Sequence, residues 1–407
     1  MVFYQKSELK DPFTLKEDLF APIPNFAITV LLIDDQPIIA EAVKRLLAGH
    51  SDIVLHYCSD PKMALEMACS VKPTVILLDL VMPEIDGLSL LKSFRQETAF
   101  VEIPIIVLSV EENPNIKAEA FGLGANDYIV KLPDRLELIA RICYHSTAYI
   151  RLLERNAAYS KLEESQRLLL TELTEAASYV RSLLPLPMKA PVDIDWKFIP
   201  STQLGGDAFG YHWIDERYFA IYLLDVCGHG VGAALHSISA MNVLRSGNLP
   251  HANFYCPSSV LKELNAVFQM EDHHDMFFTI WYGIYDQKTR ELTYANGGHP
   301  PAILINEKRI KKLTTPGVAV GVVLDAEFVD AKCVIAKGDT LFIFSDGVFE
   351  IPKQDGTMMR LTDFLEFLLD LNLEKSNFLE DIVQKMRISQ GFDAFIDDFS
   401  IMKLSFS

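Results

Sequence analysis

The chain has 407 residues, half of them hydrophobic, and carries 37 lysines and arginines against 55 acidic residues, a net charge of −18. That length buries cores for two or three domains, and the negative surface argues against a nucleic acid or an anionic membrane as partner. Six cysteines scattered without a Cys-x-x-Cys pair argue against a disulfide framework and read as reduced core thiols. No run reaches the ~18 uninterrupted apolar residues of a membrane span, and the first residues lack an apolar signal core, so a cytoplasmic setting is expected.

Residues 1–26 hold three prolines and no assignable period, and are expected to be an extension. From Ile28 short apolar runs alternate with helical patterns: Thr29 to Ile33, Val54 to Tyr57, Val75 to Leu78, Ile105 to Leu108 and Tyr128 to Val130. This pattern predicts a five-strand, doubly wound (flavodoxin-like) α/β domain over 27–147. Ligands of such sheets lie beyond the carboxyl ends of the strands. There the chain places Asp34 and Asp35, Asp79, Ser109 and Lys131. Three converging carboxylates repel one another unless Mg²⁺ bridges them, and a lysine and a hydroxyl nearby could hold the oxygens of a phosphoryl group on Asp79.

The runs LLIDDQ, LLDLVMPEIDGLSLL, IVLS and GANDYIVK together resemble the receiver domain of two-component response regulators. The resemblance implies that Asp79 accepts phosphate, that Asp34 and Asp35 hold Mg²⁺ with it, that Ser109 and Lys131 contact the phosphoryl group and that Tyr128 is the switch aromatic. It also implies a sensor histidine kinase upstream. The stretch YIVKLPDRLELIARICYHSTAYI is similar to the receivers of WspR-type diguanylate cyclases, which a chemosensory-type kinase serves. One departure stands out: Leu132 separates Lys131 from Pro133, where receivers usually have proline directly after the lysine, so the loop after the fifth strand is expected to run differently.

Residues 148–184 read as a helical coiled-coil linker. Leu152, Arg155, Tyr159, Leu162, Gln166, Leu169, Leu173, Ala176, Val180 and Leu183 recur in steps of three and four. Such a seam implies a homodimer through the linker helices, and Arg155 and Gln166 within it weaken the pairing and can fix its register. Pro185 and Pro187 end the helix.

Residues 185–407 carry many strand patterns and a few helices, an α+β domain of two packed sheets with helices outside. Acids stand where apolar runs meet glycine or another acid: Gly205-Gly206-Asp207, the turn that begins at Asp225 after Tyr218 to Leu224, Ser345-Asp346-Gly347, and Asp397-Asp398 before Phe399 to Leu404. An aspartate desolvated on one side needs a cation to stay charged, so these acids suggest a metal site.

LGGDAFG, LLDVCGHG, FFTIWYGIYD, YANGGHPPAIL, KGDTLFIFSDGVFE and DDFSIMKL, in that order, resemble the PPM (PP2C) family of metal-dependent serine/threonine phosphatases, in the bacterial branch of RsbU and SpoIIE. The resemblance implies that Asp225 bridges two Mn²⁺ or Mg²⁺ ions with help from the Val226 carbonyl. Asp207 then completes one ion's shell, and Asp346 and Asp397 hold the other. Asp398 is an alternative to Asp397 if the register shifts by one. His229 and His299 lie in glycine-rich turns and could act in catalysis or cap strand ends, and Cys227 reads as packing.

The expectation is therefore a response regulator whose Asp79 phosphorylation controls a protein phosphatase. The resemblance implies a phosphoserine or phosphothreonine substrate, a STAS-type anti-sigma-factor antagonist in a partner-switching pathway. A non-catalytic, phosphorylation-controlled adaptor is the alternative. A diguanylate cyclase, suggested by Gly205-Gly206-Asp207-Ala208-Phe209, is disfavoured because alanine stands where that signature has glutamate.

Overall fold

The computed structural model describes residues 27–407 apart from residues 84, 307–308 and 372–376. The expected extension, residues 1–26, lies outside them. The chain divides into two units between Gln166 and Arg167.

In the first unit strands and helices alternate: β1 (Ile28–Ile33), α1 (Pro37–Leu46), β2 (Ile53–Cys58), α2 (Ala64–Val71), β3 (Val75–Asp79), α3 (Gly87–Gln96), β4 (Ile105–Ser109), α4 (Pro114–Gly122), β5 (Asp127–Val130) and α5 (Arg135–Leu183). The strands are parallel, in the order β2-β1-β3-β4-β5. Leu31, Ile33, Ile76 and Leu78 pack on one face of the sheet, and Val30, Leu32, Val75 and Leu77 on the other. A sheet buried on both faces explains why these strands read as continuous apolar runs rather than alternating ones.

Helix α5 begins as the last helix of this unit, burying Leu138, Ile139, Ile142 and Ile150, and continues without a break through the expected linker. Further along, Tyr159, Leu162 and Leu169 of the predicted seam are more than half exposed. Among the described residues no helix is long and apolar enough to cross a membrane.

The second unit holds β6 (Val192–Ile199), β7 (Asp207–Trp213), β8 (Tyr218–Val226), α6 (Val231–Ser246), α7 (Pro257–Val267), β9 (Phe278–Asp286), β10 (Glu291–Gly297), β11 (Ala302–Asn306), β12 (Arg309–Leu313), β13 (Ala331–Val334), β14 (Thr340–Phe344), α8 (Leu361–Asp370), α9 (Phe378–Gln390) and β15 (Phe399–Phe406). Two antiparallel sheets form, ordered β13-β10-β9-β8-β7 and β12-β11-β14-β15-β6. Along β14 the side chains alternate. Leu341 and Ile343 enter the core shared with the first sheet, while Phe342 and Phe344 pack with α8 and α9 on the outer face.

Trp281, fully buried on β9, crosses this core and donates its indole N–H to the Leu313 carbonyl at the end of β12 (3.0 Å). The six cysteines are all free, but only Cys58 and Cys333 are core thiols; Cys143, Cys227 and Cys256 are half-buried and Cys69 is exposed. Because Trp281 fills the space between the sheets and makes a bond across it, Trp281→Ala is expected to cost about 3–5 kcal/mol of unfolding free energy. Urea titration followed by near-ultraviolet circular dichroism reads this as an earlier transition of the second unit.

Candidate functional site

At the carboxyl ends of β1 and β3, Asp34, Asp35 and Asp79 bring carboxylate oxygens within 4.8 Å of one another, with Asp34 and Asp79 buried. Lys131, one residue beyond β5, reaches both: its Nζ lies 2.9 Å from Asp34 Oδ2 and 2.7 Å from Asp79 Oδ2. Burial opposes the ammonium, but the bonds to Asp79 and Asp34 outweigh it and raise the Lys131 pKa. The Asp79 pKa is raised as well, because burial and the Asp34 charge exceed the help from Lys131 and the Val81 N–H. One ammonium shared among three carboxylates leaves uncompensated negative charge, and a buried Asp35 oxygen has no hydrogen-bond partner. Hard oxygen donors with residual charge fit a Mg²⁺ ion.

Ser109 is buried at the end of β4, where its Oγ accepts the Glu111 N–H (3.2 Å). Tyr128 is turned inward and its hydroxyl donates to the Glu111 carbonyl (2.8 Å). Glu111 thus ties the loop after β4 to the end of β4 and to strand β5. Leu132, the insertion before Pro133, takes a left-handed backbone (φ 59°) and exposes its side chain. A residue with a Cβ pays for that conformation, so the loop leaves Lys131 by an unusual turn.

In the second unit the acids converge from both sheets. Asp207 opens β7 and Asp225 stands next to the end of β8, directly opposite it in register. In an antiparallel pair the start of one strand lies beside the end of its neighbour. Asp207 is therefore part of a strand rather than of a turn, and it sits at a strand's amino end. Asp346 follows β14 and Asp397 precedes β15, the same arrangement on the second sheet.

Three of these acids are shifted by burial and by neighbouring charges. Burial and the charges of Asp346 and Asp397 push the Asp225 carboxyl up to about 8. Burial and the charges of Asp225 and Asp398 raise Asp207 well above the carboxylate range, with the nearby Ser400 and Ser345 hydroxyls opposing in part. Burial, Asp397 and Glu350 push Asp346 up to about 6. Like charges facing each other across a strand pair destabilise it, and neither Asp207 oxygen, both buried, makes a hydrogen bond. Orphaned, mutually repelling carboxylates fit divalent cations. Among the described residues no three of these acids meet the 4.8 Å spacing of the first unit's triad.

Asp398 is set apart from its neighbour. It is buried, while Asp397 is exposed. Its Oδ1 accepts the Ser201 N–H (2.7 Å) and hydroxyl (2.9 Å), and its Oδ2 accepts the Gly206 N–H (2.5 Å). With its oxygens so engaged, Asp397 is the freer donor. The sequence offered no signal for Ser201, or for Ser345, whose hydroxyl donates to the Asp398 carbonyl (3.0 Å) and whose Oγ accepts the Ser400 N–H (3.2 Å).

The Val226 carbonyl passes 2.9 Å from where a Cβ on Gly206 would stand, which explains the glycine before Asp207. His299 is buried, its Nδ1 2.8 Å from the Thr279 hydroxyl and its backbone clasped by the Asn296 amide. Burial pulls its pKa down to about 3, so it is a neutral part of the core. His229 is exposed. Cys227 accepts the Phe277 N–H at Sγ (3.3 Å), a packing role.

Residues 30–143 match the family model described as the response regulator receiver domain, and residues 215–407 the one described as stage II sporulation protein E (SpoIIE). Relatives include phosphoserine phosphatase RsbU of Bacillus subtilis (strain 168), 29% identical over 253 residues, 60% of this chain and 73% of that protein. Phosphoserine phosphatase RsbP of the same strain is 31% identical over 166 residues, 39% of this chain and 40% of that protein. Among solved structures, the SiaA-PP2C domain of Pseudomonas aeruginosa agrees with a TM-score of 0.53 at 21% identity, covering 60% of this chain and 99% of that one. That agreement establishes the fold of the second unit.

The raised carboxyls give a signed prediction. A group whose pKa is higher folded than unfolded stabilises the fold below its unfolded value, and that contribution is lost as pH rises through the folded value. For Asp225 the loss extends to about 8, whereas His236 and His299, pulled down to about 4 and about 3, stay neutral in that range. In a chelator, the melting temperature of the second unit should fall between about pH 7 and pH 8.5. Mn²⁺ should raise it, most at the upper end, and Asp225→Asn should flatten both dependences. Differential scanning calorimetry checks all three.

Proposed function

The chain joins a response-regulator receiver domain to a serine/threonine phosphatase domain of the SpoIIE/PP2C type, and from that premise we propose that phosphorylation of Asp79 controls dephosphorylation of a partner protein. The observation that carries the reading is the convergence of Asp207, Asp225, Asp346 and Asp397 on one edge of the two-sheet core, each of the first three shifted by the charge of its neighbours.

In this reading Asp225, the Val226 carbonyl, Asp207, Asp346 and Asp397 would together hold two Mn²⁺ or Mg²⁺ ions. When bound, such a pair supplies positive charge for the phosphate oxygens and an activated water. The residues of the chain do the rest. Asp207 is buried, while Asp397 is exposed and leaves the outer side open to a phosphoester. The buried sheet ends keep the carboxylates in place without a covalent intermediate.

The substrate is a phosphoserine or phosphothreonine of a protein, a STAS-type anti-sigma-factor antagonist. Similarity to RsbU, named a phosphoserine phosphatase, supports this. In the receiver Asp34, Asp35 and Asp79 hold Mg²⁺, Ser109 and Lys131 contact the phosphoryl group, Tyr128 responds to it, and a sensor histidine kinase of the chemosensory type donates it in a cytoplasmic setting. The exposed seam of α5, with Tyr159, Leu162 and Leu169 spaced as in a helix pair, supports a homodimer through the linker.

A Mn²⁺-dependent assay on a phosphoprotein tests the chemistry and its control together. Asp225→Asn should lower turnover by at least about a hundredfold. Asp79→Asn should abolish the change in rate and in molecular mass that a small phosphoryl donor brings to the wild type. A wild type that binds its phosphoprotein without turnover at saturating Mn²⁺ leaves a phosphorylation-controlled adaptor instead.

A further inference from the structure

Two of the four acids belong to one sheet and two to the other, so their separation depends on whatever ties the sheets together at this edge. One segment that crosses here is residues 200–206, which leaves β6 in the second sheet and enters β7 in the first; residues 298–301, between β10 and β11, are another. The first carries Ser201, Thr202, Gln203 and two glycines, and of these Thr202 and Gln203 are exposed. Apart from Pro200 and the buried Leu204 these residues are small or polar, and they give the segment little apolar surface with which to hold its shape. Asp207 cannot correct an error in that segment, because neither of its oxygens makes a hydrogen bond. With the Ser345 and Ser400 hydroxyls near it but not bonded to it, its position follows that of the segment that carries it.

Asp398 grips the segment at both ends, through the Ser201 N–H and hydroxyl and the Gly206 N–H. Its carboxylate lies 2.7 Å from where a Cβ on Gly205 would stand, so the turn closes directly on the acid. The main chain of Asp398 is fixed in turn to the other pair. Its carbonyl accepts the Ser345 hydroxyl, and a Cβ on Gly347 would stand 2.3 Å from the same oxygen. One buried residue therefore meets the turn that carries Asp346 with its backbone and the turn that precedes Asp207 with its side chain, while Asp397 adjoins it in sequence.

We propose that Asp398 is a positioning residue of the phosphatase centre, setting the distance of Asp207 from Asp346 and Asp397 so that the two cations bind as a pair, without being a ligand itself. The proposal rests on the reading of these acids as a two-cation site. A carboxylate suits the task because it accepts from three donors and donates to none. An amide in its place keeps one acceptor oxygen and turns an N–H₂ toward the Gly206 or the Ser201 donors.

Calorimetric titration of Mn²⁺ into the full chain tests this, with circular dichroism confirming that each variant is folded at the titration temperature. Asp398→Asn and Asp398→Ala should weaken Mn²⁺ binding by about tenfold to a hundredfold, the range for residues that orient metal ligands. Ser201→Ala, which keeps the backbone donor, should weaken it less than about threefold by the same reasoning. A role confined to stability would lower the melting temperature in a chelator yet leave the Mn²⁺ affinity of the folded Asp398→Asn protein at the wild-type value, and that result overturns the proposal. If the wild type itself binds no Mn²⁺, the two-cation reading falls and the proposal with it, an outcome distinct from equal affinities.

Discussion

Carboxylates held close together in a low-dielectric edge repel one another, and both units are arranged around that repulsion. In the receiver three acids meet at the ends of adjacent parallel strands and one lysine is drawn between two of them. In the phosphatase domain two acids face each other across an antiparallel pair and two more approach from the second sheet. Burial disfavours the charged forms, so each site is stable as an anion cluster only while cations or protons are at hand. Rigid sheets keep the acids from moving apart, and the same rigidity holds them ready for a cation.

The two solutions differ in a way that suits their chemistry. Lys131 lies 2.7 Å from an Asp79 oxygen, so the receiver keeps a fixed positive charge beside that carboxylate. Among the described residues, the groups that shift Asp207, Asp225 and Asp346 include no lysine or arginine. These acids depend on other acids, on hydroxyls and on backbone geometry, and that leaves the larger share of compensation to mobile cations.

The receiver was readable because its strands are buried on both faces and each ends in its chemistry; β1, β3 and β4 stop at or one residue before Asp34, Asp79 and Ser109. The second domain was less so. Strand β12, Arg309–Leu313, is an exposed sheet edge rich in Lys and Arg, and β13, Ala331–Val334, is a short edge strand, so neither carries the apolar alternation of a core strand. Strand β7 opens with aspartate after two glycines, which reads as a turn until its partner β8 is known. The four acids could be found from sequence because each adjoins an apolar run. The choice between Asp397 and Asp398 could not, because it is made by Ser201 and Gly206, nearly two hundred residues away.

The end of the linker is anchored to the same elements that lead to Asp207 and follow Asp225. Arg181 donates to the Phe198 carbonyl near the end of β6 (3.1 Å), and Arg245 at the end of α6 donates to the Leu183 carbonyl (2.9 Å), satisfying an acceptor that the last helical turn leaves open. Strand β6 leads into the segment gripped by Asp398. Helix α6 begins at the turn after Asp225, where the Gly230 N–H bonds to the Leu204 carbonyl (3.2 Å). The last turn of α5 and the turn before Asp207 therefore share two supports, one a strand and one a helix, each of them a stiff element. Proline at 185 and 187 keeps the helix from running on past those bonds, so the linker terminates where the phosphatase core holds it.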